Sequence, residues 1–130
     1  ATAYNNLVKA ISPIKDEIPV FDMVLLGMGS DGHTASWFPG TQVVNEKDKL
    51  VSTSFNREQN TERITLTPPL ILAAALIVPL VFGKGKAETL REVTEGKYQP
   101  DSYPAQLLRN ATHEVIWVLD NESASTLSKT

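Results

Sequence analysis

Apolar residues come in short, dense runs along this chain, separated by polar and glycine-rich stretches. Met23 to Leu26 is one such run; short, unbroken and followed by Gly27, it reads as a buried strand. Ile77 to Phe82, rich in β-branched residues, is a second, and Glu114 to Leu119 a third. Pro79 sits awkwardly in the second, because proline cannot donate to a ladder; it predicts an edge position there or a strand that begins only at Leu80. Alternation over Leu50 to Phe55 and over Arg63 to Thr67 predicts two more strands, with a charged surface loop from Asn56 to Glu62. Tyr4, Leu7, Val8 and Ile11 share a helical spacing, which predicts a helix packed on the sheet and closed by Ser12-Pro13, with Ile18-Pro19 leading into the first strand. Thr67 reads as an N-cap with Pro68 at the first helical position, opening a buried helix over Leu70 to Leu76. Ala87 to Thr94 predicts a helix stopped at Gly96, and Tyr103 to Arg109 a short one. Residues 41–49 read as polar loop, and the tail from Asn121 as helical or frayed. Strands alternating with helices define an α/β chain with a largely parallel sheet, in a single domain spanning residues 1–130.

Composition narrows the partners. The chain has 130 residues, enough for one real core, and a formal charge of −3. Nucleic acid and anionic membrane are therefore not expected partners, and an anionic ligand must be drawn by a local cluster of Lys and Arg. Cysteine is absent, which excludes disulfides, thiolate catalysis and thiolate-bound zinc. Two histidines, His33 and His113, make a histidine-rich metal site unexpected. His113, beside Glu114, reads as a surface residue, Trp37 and Trp117 as core or pocket wall, and Arg91 with Glu95 as a solvated pair. No signal peptide is read in the first residues, and the longest apolar stretch, Leu70 to Phe82, is too short to span a bilayer, so a cytoplasmic protein is expected.

The chemistry concentrates after the first strand. Gly27, Gly29 and Gly32 spell the dinucleotide fingerprint, but Pro39-Gly40 stops any crossover helix, so nucleotide binding is rejected. Thr34 to Phe38 is left as a short helical turn. Asp31-Gly32-His33 lies inside the loop: a histidine can take a proton near neutral pH, and an aspartate two residues away can orient its ring. Taken alone, the triplet also suits a loop histidine at a helix start. A second glycine loop, Gly83-Lys84-Gly85-Lys86, precedes the helix at Ala87, where free N–H groups suit an anion.

The stretch FDMVLLGMGSDGHTASWFPGT at 21–41 resembles the signature of the glucosamine-6-phosphate isomerase/6-phosphogluconolactonase family. RITLTPPLILAAA at 63–75, VFGKGKAETL at 81–90, PAQLLR at 104–109 and VIWVLD at 115–120 follow in the family's order. The resemblance implies a three-layer α/β/α fold, here an incomplete domain, and hydrolysis of 6-phospho-D-glucono-1,5-lactone to 6-phosphogluconate in the pentose phosphate pathway, without metal or cofactor. It implies His33 as the base and Asp31 as its orienting partner, and Lys86 and Arg63 as anchors for the phosphate or the product carboxylate. Gly29 and Gly32 join them as substrate-binding positions, through backbone N–H groups around them that would serve as oxyanion donors, a reading from glycine content. The family's deaminase branch carries a glutamate five residues after the histidine; Phe38 stands there instead, which favours the lactonase over a glucosamine-6-phosphate deaminase. A non-catalytic sugar-phosphate-binding module is the other alternative. Nothing in residues 1–20 resembles the family's amino-terminal region. The chain is thus expected to be the carboxyl-terminal half of a longer lactonase domain, to expose apolar sheet surface and to lack full activity by itself.

Overall fold

The computed structural model describes residues 1–11, 14–15 and 18–128. The elements in order are α1 (Thr2–Ile11), β1 (Ile14–Lys15), β2 (Ile18–Pro19), β3 (Val24–Leu26), β4 (Val51–Asn56), β5 (Thr61–Leu66), α2 (Pro68–Leu72), β6 (Leu76–Val81), α3 (Ala87–Glu95), β7 (Glu114–Val115) and β8 (Val118–Leu119). Ser12-Pro13, read as the close of the first helix, falls outside the described residues.

A parallel sheet forms the centre, with β6 between β3 on one side and β7 and β8 on the other. Pro79 therefore sits in the middle of a central strand that begins at Leu76, not at an edge and not after Leu80. The reason lies in its neighbours. β6 pairs with β7 at Leu76 and Ile77 and with β8 at Leu80 and Val81, so the ladder breaks opposite Val78 and Pro79, where a donor would otherwise be missed. The third apolar run is split by the same break.

Leu76 also ends the predicted helix early: α2 stops at Leu72 because the following residues are recruited to the strand. Pro68 occupies the first turn as expected, while the Thr67 hydroxyl donates to the Lys49 carbonyl (2.5 Å) and not to its own helix. Residues 42–45 form a 3-10 turn whose Val43 and Val44 enter the core, so this stretch is not plain polar loop.

β4 and β5 form a separate antiparallel hairpin, in register from Val51↔Leu66 to Asn56↔Thr61. Arg63 lies within it, opposite Ser54. The Ser54 hydroxyl is buried without a partner among the described residues. A buried polar group left unsatisfied is costly, so Ser54→Ala is expected to leave stability unchanged or raise it by up to about 1 kcal/mol, read from the denaturation midpoint.

One face of the parallel sheet is covered. Val24, Leu26 and Ile77 pack with Trp37, Ile71 and Leu108, and Val81 with Leu90 and Val93 of α3. Gln106, fully buried, donates to the Glu92 and Lys97 carbonyls, and Arg109 donates to the Val93, Glu92 and Gly96 carbonyls. The two side chains satisfy the last carbonyls of α3 with a charge of favourable sign. The opposite face is bare: Leu25 is 62% exposed and Phe82, Ile116 and Val118 are exposed beside it. Parallel sheets are normally buried on both faces, so the described residues supply one of the two expected helical layers. Helix α1 does not fill the gap; it lies chiefly against β2 and β4, with Val8 buried but Tyr4 and Leu7 exposed. Arg91 and Glu95 make no ion pair: the Glu95 carboxylate accepts the Ser128 N–H instead.

Candidate active site

The loop after β3 is shaped by its own backbone. The Gly29 N–H donates to the His33 carbonyl at 2.9 Å and the Gly32 N–H to the Gly29 carbonyl at 3.0 Å, while the Thr34 hydroxyl reaches back to the Gly27 carbonyl at 2.7 Å. Beyond it the expected helical turn is absent. A tight turn closes a bridge between Thr34 and Trp37, with Ala35 in the left-handed region at φ 49°. Fully buried Trp37 fixes that turn by donating its indole N–H to the Leu66 carbonyl at 2.8 Å, and the Ser36 N–H donates to the Thr65 hydroxyl at 3.1 Å. The glycine loop is thus moored to β5 as well as to its own strand.

Asp31 and His33 meet on this loop. The Asp31 Oδ1 lies 2.5 Å from His33 Nδ1 and also accepts the His33 backbone N–H at 3.0 Å. An ionised carboxylate only accepts, so Nδ1 is the ring nitrogen that donates in this contact, and in a neutral imidazole the acceptor would then be Nε2. The Phe38 ring lies tilted against the imidazole, centroids 4.9 Å apart. Gly29 is required by this packing: a Cβ there would fall 2.2 Å from His33 Cε1 and 2.8 Å from Asp31 Oδ1. Gly32 is required twice over, by φ +87° and by a Cβ position 2.8 Å from Tyr103 Cδ1. The part read for these glycines changes accordingly. The N–H groups of Gly29, Gly32 and His33 are bonded within the loop, so the two glycines shape it, while the N–H groups of Ser30 and Asp31 between them make no hydrogen bond among the described residues.

The second glycine loop is brought alongside. The Thr89 hydroxyl, in the first turn of α3, donates to the Ser30 carbonyl at 2.6 Å. Lys86 sits half-buried at the N-cap of α3, and Lys84 is exposed on the 3-10 turn before it. Gly83, at φ 97°, donates its N–H to both Asp120 carboxylate oxygens at 3.1 Å. Asp120 also accepts the Ser123 N–H, and these bonds from Ser123 and Gly83 hold its carboxyl below the ordinary 3.8. The native state therefore binds fewer protons than the unfolded chain below that value. The clamp's contribution is complete above pH 4 or so and is lost as pH falls through the lower native value. Asp120→Asn is expected to lower the melting temperature at pH 7 and to make little difference near pH 2, read from parallel thermal melts.

A cleft of about 340 Å³ opens between the glycine loop and the hairpin tip, with Asp31, His33 and Phe38 on one wall and Phe55, Arg57 and Gln59 on the other. Neither Arg63 nor Lys86 lines it. Arg63 reaches the cleft indirectly, its guanidinium donating to Gln59 Oε1. Arg57 escaped the sequence reading because residues 56–62 looked like solvated loop; the register of the flanking strands, which brings the tip over His33, is the signal that would have found it.

The His–Asp pair lies on a glycine loop beyond the carboxyl end of a parallel strand, the place at which open α/β sheets bind their ligands. The family described as glucosamine-6-phosphate isomerases/6-phosphogluconolactonase matches residues 1–117, and the chain belongs to it. The 6-phosphogluconolactonase of Rattus norvegicus is 37% identical over 114 residues, covering 87% of this chain and 44% of that protein. The solved 6-phosphogluconolactonase of Trypanosoma brucei aligns with a TM-score of 0.88 at 35% identity, over 98% of this chain and 52% of the other. That of Leishmania guyanensis aligns at 0.89 and 30% identity, over 99% and 52%. The chain spans about half the length of the relatives it matches.

Proposed function

We propose that this chain carries the catalytic part of a 6-phosphogluconolactonase, hydrolysing 6-phospho-D-glucono-1,5-lactone to 6-phosphogluconate in the pentose phosphate pathway. The observation that carries the reading is the 2.5 Å contact between His33 Nδ1 and Asp31 on a loop built for close approach. Asp31 holds the proton on Nδ1, and Nε2 takes a proton from water as the water oxygen bonds to the lactone carbonyl carbon. The tetrahedral oxyanion then collapses. The bond from carbon to ring oxygen breaks, and the imidazolium returns its proton to the departing oxygen, leaving an open-chain acid. Lys86, at the N-cap of α3 beside the glycine loop, anchors the phosphate, and Arg63 supports the cleft through Gln59. An aromatic ring at Phe38 against His33, in place of a carboxylate, supports lactone hydrolysis over amino-sugar deamination.

The bare sheet face around Leu25 and Phe82 fits residues 1–130 forming one part of a longer domain whose further layer covers it, as does the half-length match to relatives. A cytoplasmic setting, consistent with a chain free of cysteine, is part of the reading. The test is turnover of 6-phosphogluconolactone above its spontaneous hydrolysis, by the chain alone and within a polypeptide of the relatives' length, with glucosamine 6-phosphate as the competing substrate. Lactone turnover without deamination is expected. Deamination, or no turnover from the longer polypeptide, overturns it.

A further inference from the structure

Hydrolysis of a lactone builds negative charge on the former carbonyl oxygen, and the product carries a carboxylate at the same carbon. The glycine loop spends the N–H groups of Gly29, Gly32 and His33 on itself, which leaves those of Ser30 and Asp31 as its neutral donors and no charged one. Arg57 is the one Lys or Arg that lines the cleft with His33. It is uncommitted: among the described residues the one ion pair is His33 with Asp31, so neither neighbouring Glu58 nor Glu62 across the hairpin neutralises it. Its backbone is fixed. The Asn60 N–H donates to the Arg57 carbonyl with Asn60 at φ 48°, the Gln59 N–H donates to Asn56 Oδ1 at 3.2 Å, and Arg63 holds Gln59. Arg57 also lines a groove of about 410 Å³ behind the tip, with Thr41 and Ser54. A guanidinium is always charged and presents paired donors to two oxygens.

Resting on the lactonase reading, we propose that Arg57 is the oxyanion donor of this site. It faces the carbonyl oxygen of the lactone as charge develops there and then holds the carboxylate of the product.

Two readouts test this on the 130-residue chain and on the longer polypeptide. In Arg57→Gln, kcat for the lactone is expected to fall about a hundredfold, the scale of one lost oxyanion donor. By calorimetry its affinity for 6-phosphogluconate is expected to fall about ten- to hundredfold, while its affinity for glucitol 6-phosphate, which has a hydroxymethyl group where the acid has its carboxylate, stays unchanged. Arg57→Lys, which keeps the charge without the fork, should fall between, and an unaltered melting temperature in both variants excludes unfolding. Equal weakening of both ligands would make Arg57 a phosphate contact and overturn the proposal, as would no weakening of either. A wild-type chain that tells the two ligands apart through Arg57 yet hydrolyses no lactone refutes the lactonase reading and leaves the carboxylate contact standing. A wild-type chain that binds neither refutes both.

Discussion

His33→Ala is expected to bring lactone hydrolysis down to its spontaneous rate, and Asp31→Asn to lower kcat on the order of a thousandfold with little change in KM. The second substitution is the more informative because it removes almost no volume. The Asp31 carboxylate accepts two bonds, one from the ring at 2.5 Å and one from the His33 N–H at 3.0 Å. Asparagine can keep one with its carbonyl oxygen. If its amide nitrogen turns to the imidazole, the ring must accept at Nδ1 and carry its proton on Nε2, where the attacking water has to deliver its own. The substrate would still bind, since neither residue is assigned to the phosphate, and that is why the loss should fall on kcat. Steady-state kinetics of both variants in the longer polypeptide, with the spontaneous rate subtracted, check the pair. An Asp31→Asn enzyme with unaltered kcat would reduce Asp31 to a turn-forming residue.

What could be read from the sequence was whatever depends on local pattern. The strand ending at Leu26, the paired glycines, the Thr67-Pro68 helix start and the stop at Gly96 are all set by a few neighbouring residues, and all stand where the pattern put them. The misjudged points each depend on a distant partner. Pro79 is tolerated in a central strand only because β7 gives way to β8 opposite it, nearly 40 residues later in the chain. Leu76 is drawn from helix to strand by Glu114, and the turn at Ala35 is held in place by the Leu66 carbonyl. Gln106 and Arg109, visible only as part of a recognisable motif, turn out to secure the end of α3. Of the site, Asp31 and His33 were legible because two residues on one short loop must be neighbours. That Arg57 lines the same cleft was not legible, since its place there is a product of hairpin register. Glycine content shows that backbone can come close, but not which donors are already taken: those of Gly29 and Gly32 bond within the loop, and those of Ser30 and Asp31 do not.

Gly29→Ala is expected to come close to the loss caused by removing the dyad itself, although the added methyl carries no chemistry. Its Cβ would lie 2.2 Å from His33 Cε1, 2.3 Å from Nδ1 and 2.8 Å from Asp31 Oδ1, distances no side chain atom sustains. Something must shift. The backbone of the loop is held by the Gly29–His33 and Gly32–Gly29 bonds, the Thr34 hydroxyl and buried Trp37, so the imidazole is the part that yields. Rotating it away breaks its contact with Asp31 and moves Nε2 from the place the proposed mechanism requires. A displacement of about 1 Å at a catalytic group can cost on the order of a hundredfold, and here orientation and tautomer are lost together. Gly27→Ala is the matching control: a Cβ there meets nothing within 4 Å, and its backbone needs no positive φ, so near-normal turnover is expected. The fold should survive both changes, because the crowding in Gly29→Ala is relieved in a partly exposed loop and not in the core. NMR of the histidine ring protons, read beside kcat, separates the cases. If Gly29→Ala retains activity with an undisturbed His33 signal, the ring does not stand over Gly29 in solution, and the close approach on which the site is built is not the one that catalyses.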